Sequence, residues 1–163
     1  MSPASQSTTA RPETLGSESF MSANDLRDYM SKMHMAKASK ELDAMQKADH
    51  ARRELIKTLQ EEVDLTPQKL AQIKRDLAIK TRAAAERGET EVMVMRFPNA
   101  LCTDHGRAIN QCETDWPETL TGRPRQAYEL WKEHLQPEKY KLKAMIVEWP
   151  GGLPGDVAFF LSW

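Results

Sequence analysis

The sequence predicts an α+β protein with a disordered N-terminal tail, a long antiparallel helical hairpin and a small three-stranded sheet with one packed helix. Two observations lead to this prediction. No Pro or Gly occurs between Gly16 and Pro67, which permits a long helix. After Gly88 the apolar pattern changes from a helical period to that of strands. The predicted domains are the tail over 1–21, the hairpin over 22–88 and a small α+β domain over 89–163.

The composition argues against several classes of protein. The chain has 163 residues with 23 basic and 24 acidic side chains, so its net charge of -1 gives no overall attraction for nucleic acid. Two cysteines are too few for a disulfide framework, and apolar runs such as "VAFFL" are too short to span a membrane. We therefore expect a soluble, cytoplasmic protein with no membrane association and no cofactor.

The first 21 residues are expected to be disordered. They contain few large apolar side chains and are interrupted by Pro3, Pro12 and Gly16, so burial cannot offset the entropy lost on ordering. A secretory signal is not expected here, because the segment has no apolar core.

The first predicted helix runs from about residue 23 to 62, with Ser22 as its N-cap. Its apolar residues form a thin stripe flanked by charge, which is typical of a helix packed on one partner. In the second half this stripe contains Leu42, Met45, Ala48, Leu55, Ile56, Leu59 and Val63. In the first half it is weaker and includes Tyr29, Met30 and Met33.

The second predicted helix begins at Pro67, with Thr66 as its cap, and Gly88 can close it in the left-handed conformation. Its apolar stripe consists of Leu70, Ile73, Leu77 and Ala84. Because only about four residues separate the two helices, we expect antiparallel neighbours. The hairpin is expected to cover the sheet or to support oligomerisation.

Three strands and one helix are predicted in the C-terminal half. The strands are "ETEVMVMRF", "YKLKAMIVEW" and "DVAFFLSW", and "PGGLPGD" should join the last two as a tight hairpin. A helix over 124–135 should turn Ala127, Leu130 and Trp131 inward. If the last strand lies at an edge it could recruit a partner strand. Trp149 and Trp163 would mark a binding surface if they are exposed.

The segment "LCTDHGRAINQC" at 101–112 contains both cysteines and a histidine. Cys102, His105 and Cys112 supply only three of the four donors that zinc prefers, so no metal site is expected. Cys102 with His105 as base is a weak candidate for nucleophilic catalysis, and a disulfide between the cysteines is a further alternative. The favoured interpretation is a packed loop in which cysteine acts as a small hydrophobic residue.

Four arginines form a second candidate site. Arg96 ends the first strand, Arg107 lies in the quoted segment, and Arg123 and Arg125 lie at the start of the helix. Their guanidinium groups could converge at one end of the sheet and bind a small anionic ligand. The competing interpretation, favoured here, is that they pair with acids of the same region such as Asp104.

These patterns favour a non-enzymatic interaction or regulatory protein that uses the helical hairpin for oligomerisation or for docking a protein partner. The alternative is a binder or enzyme acting on an anionic ligand through the arginine cluster, with Cys102 or His105 supplying chemistry. A third alternative is nucleic-acid binding through the basic second helix, which the balanced charge of the chain disfavours.

Overall fold

The computed structural model describes residues 20–163, so the predicted tail lies almost entirely outside the described residues. The α+β class is confirmed, with a long first helix and a three-stranded antiparallel sheet. The helices and strands, numbered in chain order, are α1 Ala23–Gln60, α2 Pro67–Glu86, β1 Glu91–Phe97, α3 Arg107–Asn110, α4 Gly122–Leu130, β2 Lys141–Ile146 and β3 Val157–Ser162. A π-helical turn, Trp131–Leu135, continues α4.

The contacts divide the chain into two units, one ending at Gln46 and the other comprising Lys47–Trp163. The domain boundary expected at residue 88 therefore falls inside the second unit. The end of α1 and the whole of α2 belong to the same compact unit as the sheet.

Local capping signals set where the two long helices begin. The backbone N–H of Asp25 donates to Ser22 Oγ at 3.1 Å, and that of Lys69 donates to Thr66 Oγ1 at 3.2 Å. Gly88 follows α2 with a φ of 79°, the left-handed conformation that ends helices. Ser22 and Thr66 accept from backbone N–H groups that have no partner within the helix, whereas the turn at Gly88 brings N–H donors to carbonyls of the last turn. All three positions were predicted from the sequence.

Helix α2 packs on strand β1. Within residues 47–163, its contacts with β1 are more extensive than its contacts with α1. Thr81 and Ala84 are its buried residues. Their small side chains allow close approach to the strand, and Thr81 Oγ1 donates back to the carbonyl of Leu77 at 2.9 Å, which satisfies its hydroxyl. Of the two roles expected for the helical pair, α2 takes that of covering the sheet.

Strand β3 is the central strand of the sheet, whose order is β1-β3-β2. Val157 pairs with Phe97 on one side and with Ile146 on the other. The expectation that the last strand could lie at an edge and recruit a partner strand is therefore wrong. Both backbone edges of β3 are already paired, because β3 inserts between β1 and β2 and is antiparallel to each.

The segment between β1 and α4 contributes a large share of the core, although the sequence predicts only a loop there. It forms short helical turns at Asn99–Leu101 and Trp116–Thr119 together with α3. Its buried apolar residues are Leu101, Cys102, Ala108, Ile109 and Leu120. Their spacing follows neither a helical nor a strand period, so no periodicity indicated that this segment closes the core.

Gly122 sits where α4 begins against the end of α1. Its φ is 58°, and a Cβ at this position would collide with the carbonyl oxygen of Leu59 and lie 2.8 Å from the Cα of Gln60. Backbone groups at that distance cannot yield as a flexible side chain would. Glycine is therefore required for both its conformation and its lack of a side chain.

We expect Gly122→Ala to destabilise the chain by more than about 2 kcal/mol, since it adds a backbone collision to the cost of the left-handed conformation. Gly88→Ala is the matched control, because Gly88 has φ 79° and nothing within 4 Å of a Cβ. Urea unfolding followed by circular dichroism measures both changes. Equal destabilisation of the two variants would contradict the close approach.

Candidate functional site

The segment 101–112 is built into the core, and its polar residues serve local structure. Asp104 holds the start of α3, since its Oδ1 accepts from the backbone N–H of Gly106 at 3.0 Å and its Oδ2 from that of Ala108 at 2.7 Å. Cys102 forms an isolated bridge to Leu120 on the neighbouring segment. The carboxylate is therefore engaged in capping and is not positioned to orient a histidine.

Cys102 is a buried thiol with a suppressed tendency to ionise. Its side chain is 2% exposed. Burial, with a further contribution from the negative charge of Asp104, raises the pKa of the Cys102 thiol to about 11. A nucleophilic cysteine needs the opposite shift. His105 is exposed, in a left-handed backbone conformation with φ 55°, and the geometry favours the packed-loop interpretation over catalysis.

Both cysteines are free thiols, so no disulfide joins them. Cys102 is buried whereas Cys112 is exposed. Across residues 20–163, no group of three or more His, Cys, Asp or Glu side chains is placed to hold a metal ion.

Three of the four predicted arginines pair with carboxylates, each with a different one. Arg96 Nε lies 3.0 Å from Asp156 Oδ2, with Glu148 at 3.5 Å from its Nη2. The other two pairs are Arg107–Glu113 at 3.4 Å and Arg125–Glu129 at 3.3 Å. Of these acids only Glu113 belongs to the segment from which the sequence predicted partners, whereas Asp156 and Glu148 lie far along the chain from Arg96 and Asp104 caps α3 instead. The paired acids neutralise the charge that an anion would require.

Arg123 differs from the other three. Its Nε donates to the backbone carbonyl of Glu61 at 3.1 Å, and it forms no ion pair with any acid among residues 20–163. It is also the one of the four that lines an apolar cavity between α2, α4 and the sheet. The arginines thus share no common partner, and a single guanidinium remains available for a ligand.

An apolar cavity of about 260 Å³ lies over the inner face of the sheet. Its floor is the sheet itself, and its walls come from α2, the linker after α1, and α4 with the π turn. The apolar lining residues are Val63, Leu65, Ile73, Leu77, Val94, Met95, Ala127, Leu130, Trp131, Leu135, Leu142, Phe159 and Leu161. Leu65 is 38% exposed, the highest exposure among the lining residues, and so lies at the rim, whereas Arg123 is half-buried.

The other two polar groups of the cavity wall are already satisfied. Gln126 bonds twice to Val63, accepting from its N–H and donating to its carbonyl, both at 2.9 Å. Trp131 Nε1 donates to the carbonyl of Tyr140 at 3.1 Å. Gln126 therefore fixes the linker and Trp131 fixes its own ring. Arg123 is the third polar residue of the lining, and among residues 20–163 only its Nε forms a hydrogen bond.

The sequence contained an unused signal for this cavity. The sequence predicted an apolar stripe on α2 with Ile73 and Leu77 and an inward face on the later helix with Ala127, Leu130 and Trp131. The cavity lies between them. What the sequence could not show is that the two stripes face each other. Two helices on the same side of a sheet leave a gap between them when their side chains do not interdigitate fully.

The exposed tryptophans do not form one surface. Trp149 is 50% exposed and Trp163 is 43% exposed, but they lie at opposite ends of the β2–β3 ladder. The basic residues of α2 are likewise distributed around the helix, because Lys69 and Lys80 share one side whereas Arg75 and Arg82 lie on another. Neither set provides a concentrated site.

No protein-family model, curated protein or solved structure matches this chain. Among residues 20–163, none of the helices combines the length and the apolar character needed to cross a bilayer.

We expect iodoacetamide at pH 8 to alkylate Cys112 and to leave Cys102 unmodified in the folded chain, because only about one in a thousand Cys102 thiols is ionised at that pH and the group is buried. Peptide mass mapping distinguishes the two positions. Cys112→Ser should abolish labelling until the chain is unfolded in urea. Rapid labelling of Cys102 in the native chain would contradict its burial and support a nucleophilic role.

Proposed function

We propose that this chain is a non-enzymatic interaction protein that self-associates through the N-terminal half of α1, with a second copy of the chain as the partner. One observation supports this most strongly. None of the 38 residues of α1 is buried, although the helix has large apolar side chains along its length. A helix gains most of its stability in a protein from packing an apolar face. The exposed apolar side chains of α1 therefore favour packing against a partner.

The apolar residues at the start of α1 have the spacing of docking anchors. Leu26, Tyr29, Met30 and Met33 occupy positions i, i+3, i+4 and i+7 and are 47%, 51%, 52% and 54% exposed. This spacing places all four on one face, the pattern by which an amphipathic helix packs against a partner. Methionine adapts to the shape of the opposing surface, which suits a self-complementary contact.

Charge favours a second copy in antiparallel orientation. In an antiparallel pair, Leu26 of one helix packs against Tyr29 of the other. Asp25 and Lys32 lie on the same flank of each helix, so Asp25 of one copy faces Lys32 of the other. Two-fold symmetry forms this pair twice. The chain as a whole has a net charge of -1, so two copies approach with little repulsion.

We expect the full chain to show concentration-dependent self-association by sedimentation equilibrium, and Met30→Glu to weaken it at least about tenfold, since it places a carboxylate in the apolar seam. Met35→Glu is the matched control, because Met35 is 70% exposed and lies on the opposite side of the same helix. It should leave the association unchanged.

A charge reversal tests the antiparallel orientation. Asp25→Lys should weaken the association by opposing two lysines, and the double change Asp25→Lys with Lys32→Asp should restore it. A strict monomer at the highest soluble concentration overturns the proposal. Equal effects of the changes at Met30 and Met35 would also exclude the face defined by Leu26, Tyr29, Met30 and Met33.

A further inference from the structure

From the cavity and Arg123 together, we infer a binding site for a small amphipathic monocarboxylate, with its apolar body in the cavity and its carboxylate on the Arg123 guanidinium. This site is independent of the α1 face, because every residue that lines it lies between Val63 and Leu161. It also differs from the convergent arginine cluster that the sequence left as an alternative, since only one arginine takes part.

The lining determines the body of the ligand. Three polar side chains reach the cavity, and two of them, Gln126 and Trp131, are held by backbone partners. A polar body would leave its own groups unpaired there, which disfavours sugars and nucleotides. An aliphatic or aromatic body loses only water and gains contact with the apolar wall.

The volume sets the size of the ligand. A dry apolar cavity of about 150 Å³ holds benzene, so scaling by volume gives a body of about ten carbon atoms for the present cavity. The cavity itself measures about 260 Å³. A short acid such as butyrate would fill only part of this space.

Arg123 determines the head group. Its Nε is held by the Glu61 carbonyl at 3.1 Å, which orients the fork, and among residues 20–163 no acid neutralises it. Arg96, Arg107 and Arg125 already form ion pairs with Asp or Glu, which would have to be broken before they could bind a ligand. Since the adjoining linker also contains Glu61 and Glu62, a singly charged carboxylate suits the site better than a dianionic phosphate.

The π turn supports a binding role for the same wall. Its first and last residues, Trp131 and Leu135, both line the cavity. The backbone N–H of Gln136 donates to the carbonyl of Trp131 at 2.8 Å, which closes the wider turn. Such turns occur mostly as single insertions in helices and are frequent at functional sites.

The test is calorimetric titration of the full chain with decanoate, below the concentration at which it forms micelles. Decanoate should bind, butyrate should not, and 1-decanol should bind more weakly because it lacks the charge. Arg123→Gln should lower the affinity for decanoate at least about tenfold while leaving that for 1-decanol unchanged. Arg123→Lys should recover part of the loss.

Arg125→Gln is the matched control, since Arg125 is exposed, pairs with Glu129 and does not line the cavity. Ala127→Phe should abolish binding by filling the space, and Ala127→Leu serves if the larger side chain prevents folding, as judged by circular dichroism. Absence of decanoate binding overturns the proposal. Binding that survives unchanged in Arg123→Gln, or in a folded Ala127 variant, also overturns it.

Discussion

Burial of the inner face of β3 is the constraint on which the rest of residues 47–163 depends. The strand is paired on both edges, so its position in the sheet is fixed, and its inward side chains Val157, Phe159 and Leu161 must be covered. Phe159 lies at the centre of this layer and is 1% exposed. Its ring meets that of Phe97 edge-on at 5.0 Å. Full burial of such a side chain contributes about 2–3 kcal/mol.

The requirement to cover β3 explains why the conspicuous segment 101–112 is structural. Its buried residues pack in the same cluster as Phe97 and Phe159, and Asp104 caps the short helix that brings them there. A thiol enclosed in this way ionises with difficulty. The chemistry that cysteine and histidine suggest in isolation is thus suppressed by the core to which they belong.

The same layer leaves one part of its surface incompletely filled. Phe159 and Leu161 belong to the floor of the cavity, while residues of α2 and α4 form its walls. The result is an apolar space with one arginine in its lining. Helix α1 has the opposite character at its N-terminal half, where Leu26, Tyr29, Met30 and Met33 are all exposed. The two proposals therefore rest on different physical features, a gap in a core and a face without a partner.

Local signals in the sequence determined the regular elements. Ser22, Thr66 and Gly88 set helix ends through hydrogen bonds and backbone conformations that involve only a few neighbouring residues, and the alternation in "YKLKAMIVEW" identified a strand. The tertiary structure decided the order of the strands, the packing of α2 on β1 and the fate of the arginines. Each of these depends on residues far apart in the chain: Arg96 meets Asp156 and Gln126 meets Val63, separations of 60 and 63 residues. Such contacts produce no periodic pattern in the sequence, because they form only when the whole core packs around β3.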